Sequence, residues 1–351
     1  MKLAEYLDVA KLNRSMADGY VTVRAHNTLP LVIYCYSRKA VYDNHWDDIT
    51  TKTRGLIVDK DQNIVARPYE KFFAYNTQGR SETYPRSVEN VEKEFGTPVI
   101  TEKVNGCLGI FWKYGTHWGI ASKGSFHSPH AEFATKWMED HIENNGKLVF
   151  PEGYTPVFEI ICQEVQSHVI KYPADGLVLL NFVNIETGEE LSRYDTTLYG
   201  AKNSLGYPML TYLPLKDALE NDSDQLEGYV ATYNRPGQAP LKLKIKFPTF
   251  LKNRKAFYEE QKAKETGDDV RYKEIFDKVA SIVKDALVYC TTQKEFAAFF
   301  FKPENKFYAR GCFALLNYEQ DKEKQKRTIW RLVERDTGQR KGSTEGITVT
   351  E

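Results

Sequence analysis

TEKVNGCLGIFWKY (Thr101–Tyr114) sets a lysine three residues ahead of a glycine, between a β-type run, PVIT (98–101), and a longer one, GCLGIFWKY (106–114). Apolar and β-branched residues on both sides mark strands, and the Asn-Gly step between them marks a tight loop. Lys103 is therefore expected on a loop joining two strands. A lone K-x-x-G is ordinarily a surface lysine in a turn. To act as a nucleophile, the amine must lose its proton near neutral pH, although its reference pKa is about 10.4. Burial or nearby cations are needed to lower that value.

Candidate cations lie downstream. LKLKIKF (241–247) alternates Lys242, Lys244 and Lys246 with Leu243, Ile245 and Phe247. With a period of two, the lysines share one face of a strand and the apolar residues face the core. Such a row is common on sheet edges, where it blocks aggregation. Lining a pocket, it would bind a triphosphate, depress the pKa of Lys103 and stabilise charge on phosphoryl oxygens. Two glutamates are candidates for the same site. Glu159 sits inside PVFEII (156–161), where it either faces solvent or accepts hydrogen bonds from ribose hydroxyls. Glu227 opens EGYVATYN (227–234) just after the acidic loop ENDSDQ (220–225). It is either a solvated loop-end carboxylate or a hard oxygen ligand for a divalent cation. Upstream, Arg54 in TRGLIVD, and Arg67 and Lys71 in ARPYEKFFAYN, put positive charge among Tyr69, Phe72, Phe73 and Tyr75. That mixture suits phosphate and base stacking, though Phe72 and Phe73 also suit a core. SKGS (122–125) presents Lys123 at a strand end or polar loop.

Around these residues the chain reads as two kinds of structure. Residues 1 to 100 mix a short helical pattern with strand-like runs such as LPLVIYCY (29–36), which ends at Tyr36. From Pro98 to Phe247, short β-type runs are separated by YGTH, ETGEE and NRPGQAP, the chemistry of hairpins and loops. One helix is expected to interrupt them, opened by Ser128-Pro129, with Phe133, Trp137 and Ile142 near helical spacing. After Pro248 the pattern is charged and helical, as in EIFDKVASIVKDALVY (274–289) and KRTIWRLVER (326–335). The expected fold class is α+β. Residues 1–250 form a catalytic domain of antiparallel and mixed sheets, 251–335 a smaller helical domain, and 336–351 a polar, frayed tail.

Composition narrows the classes. Hydrophobic residues make up 41% of the 351 residues and aromatics 13%, enough for a real core. No run approaches the roughly 18–20 apolar residues of a membrane span, and no long apolar stretch follows the first basic residue, so no secretory leader is expected. Five cysteines with no CxxC pair read as reduced thiols, not as a disulfide frame or zinc site. A cytoplasmic location is expected, the host's cytoplasm if a phage encodes the chain. The formal net charge is zero, which leaves a nucleic-acid partner open. The run from Lys242 to Lys255 nevertheless holds Lys242, Lys244, Lys246, Lys252, Arg254 and Lys255 with no acid between them, a surface on which a nucleic-acid backbone could lie.

Each of these signals is weak alone; their order carries the information. Arg54-Gly, RPYEKFF, Lys103-Val-Asn-Gly, SKGS, Phe-Glu159, Glu227-Gly-Tyr-Val and Lys244-Ile-Lys246 follow one another over about 200 residues. The series resembles the covalent nucleotidyltransferase superfamily of ligases and capping enzymes, and within it the bacteriophage RNA ligase 1 type. RPYEKFF, SKGS, LLNFVNIETGEE and EGYVA are close to that family's own wording. The resemblance spans residues 30 to 250 and implies a nucleotidyltransferase, ATP-grasp-like ligase domain. It matches Lys103 to the adenylated lysine. Tyr36, Arg54 and Lys71 match residues around the nucleotide and its phosphates, and Lys123 a basic residue important for activity. Glu159 matches the carboxylate that reads the ribose, Glu227 the one near the metal, and Lys244 and Lys246 the paired phosphate-binding lysines.

One departure stands out. The phage pattern usually has Asp before the motif glycine, and here the residue is Asn105. Asn-Gly-Cys looks instead like the ligase domain of fungal tRNA splicing enzymes, and an amide cannot supply a carboxylate's charge. The resemblance implies an ATP-dependent RNA ligase acting in RNA repair. It would use Mg²⁺ or Mn²⁺ and join a 3′-hydroxyl to a 5′-phosphate through lysyl-AMP and adenylylated RNA, with tRNA among the possible substrates. The alternatives are a tRNA-splicing-type enzyme that requires a 2′-phosphate end and an inert RNA-binding relative. A DNA ligase or GTP-using capping enzyme shares the lysine chemistry but not the RPYEKFF, SKGS and ETGEE segments. No G-x-x-x-x-G-K-[ST] sequence occurs in the chain.

Overall fold

Short apolar and β-branched runs produce most of the strands, and alternation of lysine with apolar residues produces the last of them. The computed structural model describes residues 1–75, 88–163, 165, 169–317, 325 and 328–333, and for 88–90 and 260–269 the backbone alone. The strands are β1 (Val21–Ala25), β2 (Leu31–Tyr36), β3 (Arg54–Asp59), β4 (Ile64–Ala66), β5 (Phe73–Ala74), β6 (Val99–Glu102) and β7 (Cys107–Tyr114). They continue with β8 (His117–Ser122), β9 (Tyr154–Ile161), β10 (Gly176–Asn184), β11 (Leu210–Thr211), β12 (Gly228–Arg235) and β13 (Gln238–Lys246). Among the described residues they form three sheets, ordered β1-β2-β3-β4, β10-β9-β7-β8 and β11-β6-β12-β13-β5. All described strand pairs are antiparallel except β13 with β5. The chain divides into two compact units, Met1–Arg254 and Lys255–Glu351. The expected tail at 336–351 lies outside the described residues.

The fold is α+β. Tyr114–His117 closes the β7–β8 hairpin, and Arg235 pairs with Gln238 across the β12–β13 turn, where Gly237 has a positive φ of 73° that suits a residue without Cβ. The ETGEE segment is also a turn: the Asn184 N–H donates to the Glu189 carbonyl, and Val183 bridges to Glu190. Ser128 caps the helix Pro129–Asn145 by accepting from the Ala131 N–H at 3.3 Å, with Pro at its first position. Helices Arg193–Lys202 and Leu215–Glu220 correct the expectation of a single helix in this region. Arg193–Lys202 is polar and tyrosine-rich without a continuous apolar stripe, and Leu215–Glu220 buries Leu215 and Ala218 but is too short for its periodicity to mark a helix.

In β13, Leu241, Leu243 and Ile245 are buried, and Phe247 beyond it joins them in a core with Tyr229, Ala231 and Tyr233 of β12. Each such side chain contributes about 1.5–3 kcal/mol on burial. That fixes the register and holds the lysines on the opposite face. At Leu243 and Lys244 β13 is also flanked on both sides, by β12 and by the two-residue β5. The second unit has its own core, built from Ile275, Val279, Ile282 and Ala286 of the long helix Pro248–Tyr289 with Phe300, Cys312 and Ile329.

Candidate active site

Three adjacent strands of the β11-β6-β12-β13-β5 sheet end together, and their register assembles the site. Lys103 follows β6, and its N–H donates to the Gly228 carbonyl at 2.8 Å. Gly228 pairs with Lys246 of β13. Glu227, just before β12, is thereby placed between two lysines. Its Oε2 lies 2.9 Å from Lys103 Nζ and its Oε1 2.7 Å from Lys246 Nζ. Gly228 permits this approach: its φ is +142°, and a Cβ there would lie 1.9 Å from the Ile245 carbonyl oxygen.

Glu227 is 4% exposed, so it is not a solvated loop-end carboxylate. Burial alone would raise its pKa, but the attraction of Lys103 and Lys246 outweighs burial and holds the carboxyl below its ordinary value. Asn105 adds a third contact, its Nδ2 donating to Glu227 Oε2 at 3.0 Å. The Asn105 side-chain oxygen accepts from the Ile170 N–H at 3.3 Å, and its backbone N–H donates to the Tyr172 hydroxyl at 2.7 Å. The amide thus acts as a neutral donor to a carboxylate, a part that an ionised Asp cannot play. Its neighbour Gly106 starts the crossing into the β10-β9-β7-β8 sheet. The Gly106 N–H donates to Glu159 Oε1 at 3.0 Å, and a Cβ there would lie 2.4 Å from the Ile160 carbonyl oxygen. Glu159 is held above its ordinary pKa by burial, which outweighs the pull of Lys103.

A cavity of about 720 Å³ opens beside these groups. Tyr36, Arg54, Lys103, Lys123, Glu159 and Lys244 all line it. Glu227 and Lys246 are not part of the lining; Glu227 links Lys246 to the lining residue Lys103. Lys123 lies over the Tyr36 ring at 4.4 Å from its centroid and donates to the Tyr36 hydroxyl at 3.4 Å. Burial would raise the Tyr36 phenol, but Arg54, Lys123 and Lys71 more than offset it and bring it below its ordinary value. Lys244 lies over the Phe72 ring at 4.4 Å, and Arg54 is 5.6 Å from the same ring. Burial, together with Arg54, Lys71, Lys103 and Lys246, pushes the Lys244 amine down to about 6. Lys246 is also lowered by burial, with Glu227 opposing the shift.

Not every sequence candidate faces this cavity. Lys71 packs among the Tyr36, Trp46 and Phe73 rings and lines a neighbouring cavity of about 300 Å³. Arg67 lines the same smaller cavity; it is buried against the Tyr6 ring and donates to the Ile185 and Glu186 carbonyls. The basic run from Lys242 to Lys255 is not one positive surface. Lys242 is paired with Glu190 at 2.5 Å and Lys246 with Glu227, while Lys252, Arg254 and Lys255 belong to a helix. Charge pairing between distant segments is invisible to a count along the chain. Sequence reading also missed Tyr172 as the anchor of the Asn105 backbone and Glu190 as the partner of Lys242. Glu190 could have been suspected from its place in the ETGEE turn.

Comparison with known proteins adds to this geometry. The profile of a family described as RNA ligase matches residues 52–307, more than half of the chain and all of the site except Tyr36. The chain belongs to the RNA ligase family. Among solved structures, this RNA ligase family member is similar to a Naegleria gruberi RNA ligase mutant with ATP and Mn, at 12% identity and a TM-score of 0.37. That match covers 48% of this chain and 55% of the Naegleria chain, so this chain spans about half the length of that relative. A putative ATP-dependent DNA ligase from Aquifex aeolicus shows 13% identity and a TM-score of 0.45, covering 95% of this chain and 80% of that one. An archaeal ATP-dependent RNA ligase shows 12% identity and a TM-score of 0.47, covering 93% and 76%. No curated protein matches the chain. Among the described residues, no helix is long and apolar enough to cross a membrane.

Proposed function

We propose that the chain is an ATP-dependent RNA ligase whose Lys103 carries AMP. The observation behind this reading is the Lys103–Glu227 contact of 2.9 Å on the wall of a cavity that also presents Glu159 and Lys244. In the first step the Lys103 amine, its proton given up to solvent, attacks the α-phosphorus of ATP. The N–P bond forms and the bond to pyrophosphate breaks. AMP then passes to the 5′-phosphate of RNA, giving a 5′-5′ pyrophosphate linkage and a free lysine. Finally the RNA 3′-hydroxyl attacks that phosphate, the phosphodiester forms and AMP leaves.

The chain's own groups supply alignment and charge. Glu159 would accept from the ribose hydroxyls, and its Oε1 also takes the Gly106 N–H. In this reading Lys244, Lys246 and Arg54 meet the phosphates, Lys123 and Tyr36 line the same cavity as Lys244 and Arg54, and Lys71 packs on the Tyr36 ring. Among the described residues no group of three or more His, Cys, Asp or Glu could enclose a metal. Glu227 is the carboxylate that would hold a Mg²⁺ or Mn²⁺ ion, a hard cation that proteins bind through one or two such groups. When bound, the ion would offset negative charge on the phosphates. We assign adenylyl transfer to residues 1–250 and selection of the RNA to the helical region 251–335. A role in RNA repair, with tRNA among the substrates, belongs to the same reading.

Incubation with α-labelled ATP and Mg²⁺ tests it. The expected result is an acid-labile, alkali-stable label on the protein, lost in Lys103→Ala. No label on the wild type, or undiminished label on Lys103→Ala, overturns the covalent mechanism. Single-stranded RNA with a 5′-phosphate and 3′-hydroxyl should then circularise. Sealing only of 2′-phosphate ends would instead favour the tRNA-splicing-type reading that Asn105 raises.

A further inference from the structure

The cavity wall continues past the nucleotide site to an exposed aromatic edge. Strand register aligns Lys244 with Val230, Val230 with Thr101, and Thr101 with Leu210, so the four side chains form one row on one sheet face. Lys244, Val230 and Thr101 line the cavity. Leu210, the last of the row, belongs to β11, the open edge of the sheet among the described residues, and is exposed. On either side of it Met209 is 62% and Tyr212 93% exposed, and Tyr194 on the neighbouring helix is 77% exposed. Tyr207 joins the helix to this edge: it packs on Gly200, where a Cβ would lie 2.8 Å from its ring.

A cation marks the junction between edge and cavity. Arg193 lines the cavity beside Pro208, donates to the Pro208 carbonyl, and lies 5.3 Å from the Tyr207 ring centroid. Glu102, at the end of β6, accepts from the Met209 N–H, and Asp195 follows Tyr194 on the helix. Exposed tyrosines, a thioether and a guanidinium leading into a phosphate-binding cavity match the faces on which unpaired bases stack and the charge that a nucleic-acid backbone meets.

We propose that the edge formed by Tyr194, Tyr207, Met209 and Tyr212 is the stacking platform for the single-stranded RNA end whose 5′-phosphate enters the Lys103 cavity. This inference rests on the ligase reading for its choice of RNA. A protein partner or second copy could cover an exposed aromatic edge, but neither accounts for its continuity with the row that ends at Lys244.

The test uses the full chain and a 5′-phosphorylated single-stranded RNA with a fluorescent 3′ end, with affinity read by anisotropy without ATP. Tyr212→Ala and Tyr194→Ala should each weaken binding about tenfold, and the double variant more, as loss of base–aromatic stacking does. Tyr212→Trp should retain binding. Formation of lysyl-AMP from ATP alone should be unchanged in all of them. Unaltered RNA affinity in the double variant overturns the proposal. So does a loss of affinity that tracks dissociation of a wild-type dimer in sedimentation, which would assign the edge to a second copy. A wild type that never forms lysyl-AMP, yet binds RNA through Tyr212, sinks the ligase reading and not this one.

Discussion

Lys103 and Glu227 lie 124 positions apart in the chain and 2.9 Å apart in the fold. The same carboxylate meets Lys246 on its other oxygen. One buried negative charge therefore holds the candidate nucleophile and a candidate phosphate ligand in register.

Removing that charge leaves two ammonium groups facing each other with no counter-charge. Glu227→Ala is expected to lower folding stability by about 3–5 kcal/mol, the usual effect of breaking a buried pair on one side, and to abolish covalent labelling. Denaturant titration reads the first effect as a lower midpoint. An unchanged midpoint would mean that the carboxylate does not organise the lysines.

Asn105→Asp places a second carboxylate where the amide now donates to Glu227 at 3.0 Å. In chelator the variant should melt below wild type, by about 1–3 kcal/mol for the lost bond and the repulsion. Mg²⁺ should recover more of that loss than it gives wild type, because a cation bound only by the folded state stabilises it. Thermal melts with and without Mg²⁺ check this, and parallel shifts in the two proteins would refute it.

Lys244 makes stability depend on pH. Its amine is depressed from an ordinary 10.5 to about 6, by burial first and then by neighbouring cations. Between those values the unfolded chain binds a proton that the folded chain does not, so this group favours folding less as pH falls toward 6. Below about 6 both states carry the proton and the loss is complete. Lys244→Met should flatten the stability curve between pH 6 and 10.5 and gain most over wild type at the acid end. Labelling should fall about 10²–10³-fold, as when one preorganised donor to a phosphoryl oxygen is removed. Identical pH slopes in the two proteins would contradict this.

Gly106→Ala sets a methyl group 2.4 Å from the Ile160 carbonyl oxygen and 3.0 Å from Glu159 Cγ. Backbone has to shift, and the hydrogen bond to Glu159 shifts with it. The expected cost is about 1–3 kcal/mol, with the apparent affinity for ATP in the labelling reaction weakened. A variant that labels at wild-type ATP concentrations would show that the Gly106–Glu159 contact is dispensable.

A chain ending at Arg254 keeps Phe250 in the sheet core and Arg254 at the cavity. It should form lysyl-AMP within about tenfold of the full chain while losing most RNA sealing, a loss of about 1.4 kcal/mol or less in the first step. Equal loss of both steps would remove the proposed division of labour.

How much was legible follows from which forces are local. Alternation in LKLKIKF set β13 and the lysine face, because the period of a strand is a property of consecutive residues. The hairpins at Tyr114–His117 and Arg235–Gln238, and the cap at Ser128, followed from turn and capping chemistry in the same way. The helix Arg193–Lys202 escaped notice because no apolar stripe announces it, and Leu215–Glu220 because six residues are too few to show a period.

The sequence by itself thus determined the strands, their apolar faces and the order of charged residues along them. Only the tertiary structure decided which charges meet. It buried Glu227 between Lys103 and Lys246, spent Lys242 on Glu190, bound Arg67 to the Ile185 and Glu186 carbonyls and made Asn105 a donor. Pairing depends on sheet order and register across more than a hundred residues, and Coulomb energies depend on separation and burial, neither of which is written along a chain.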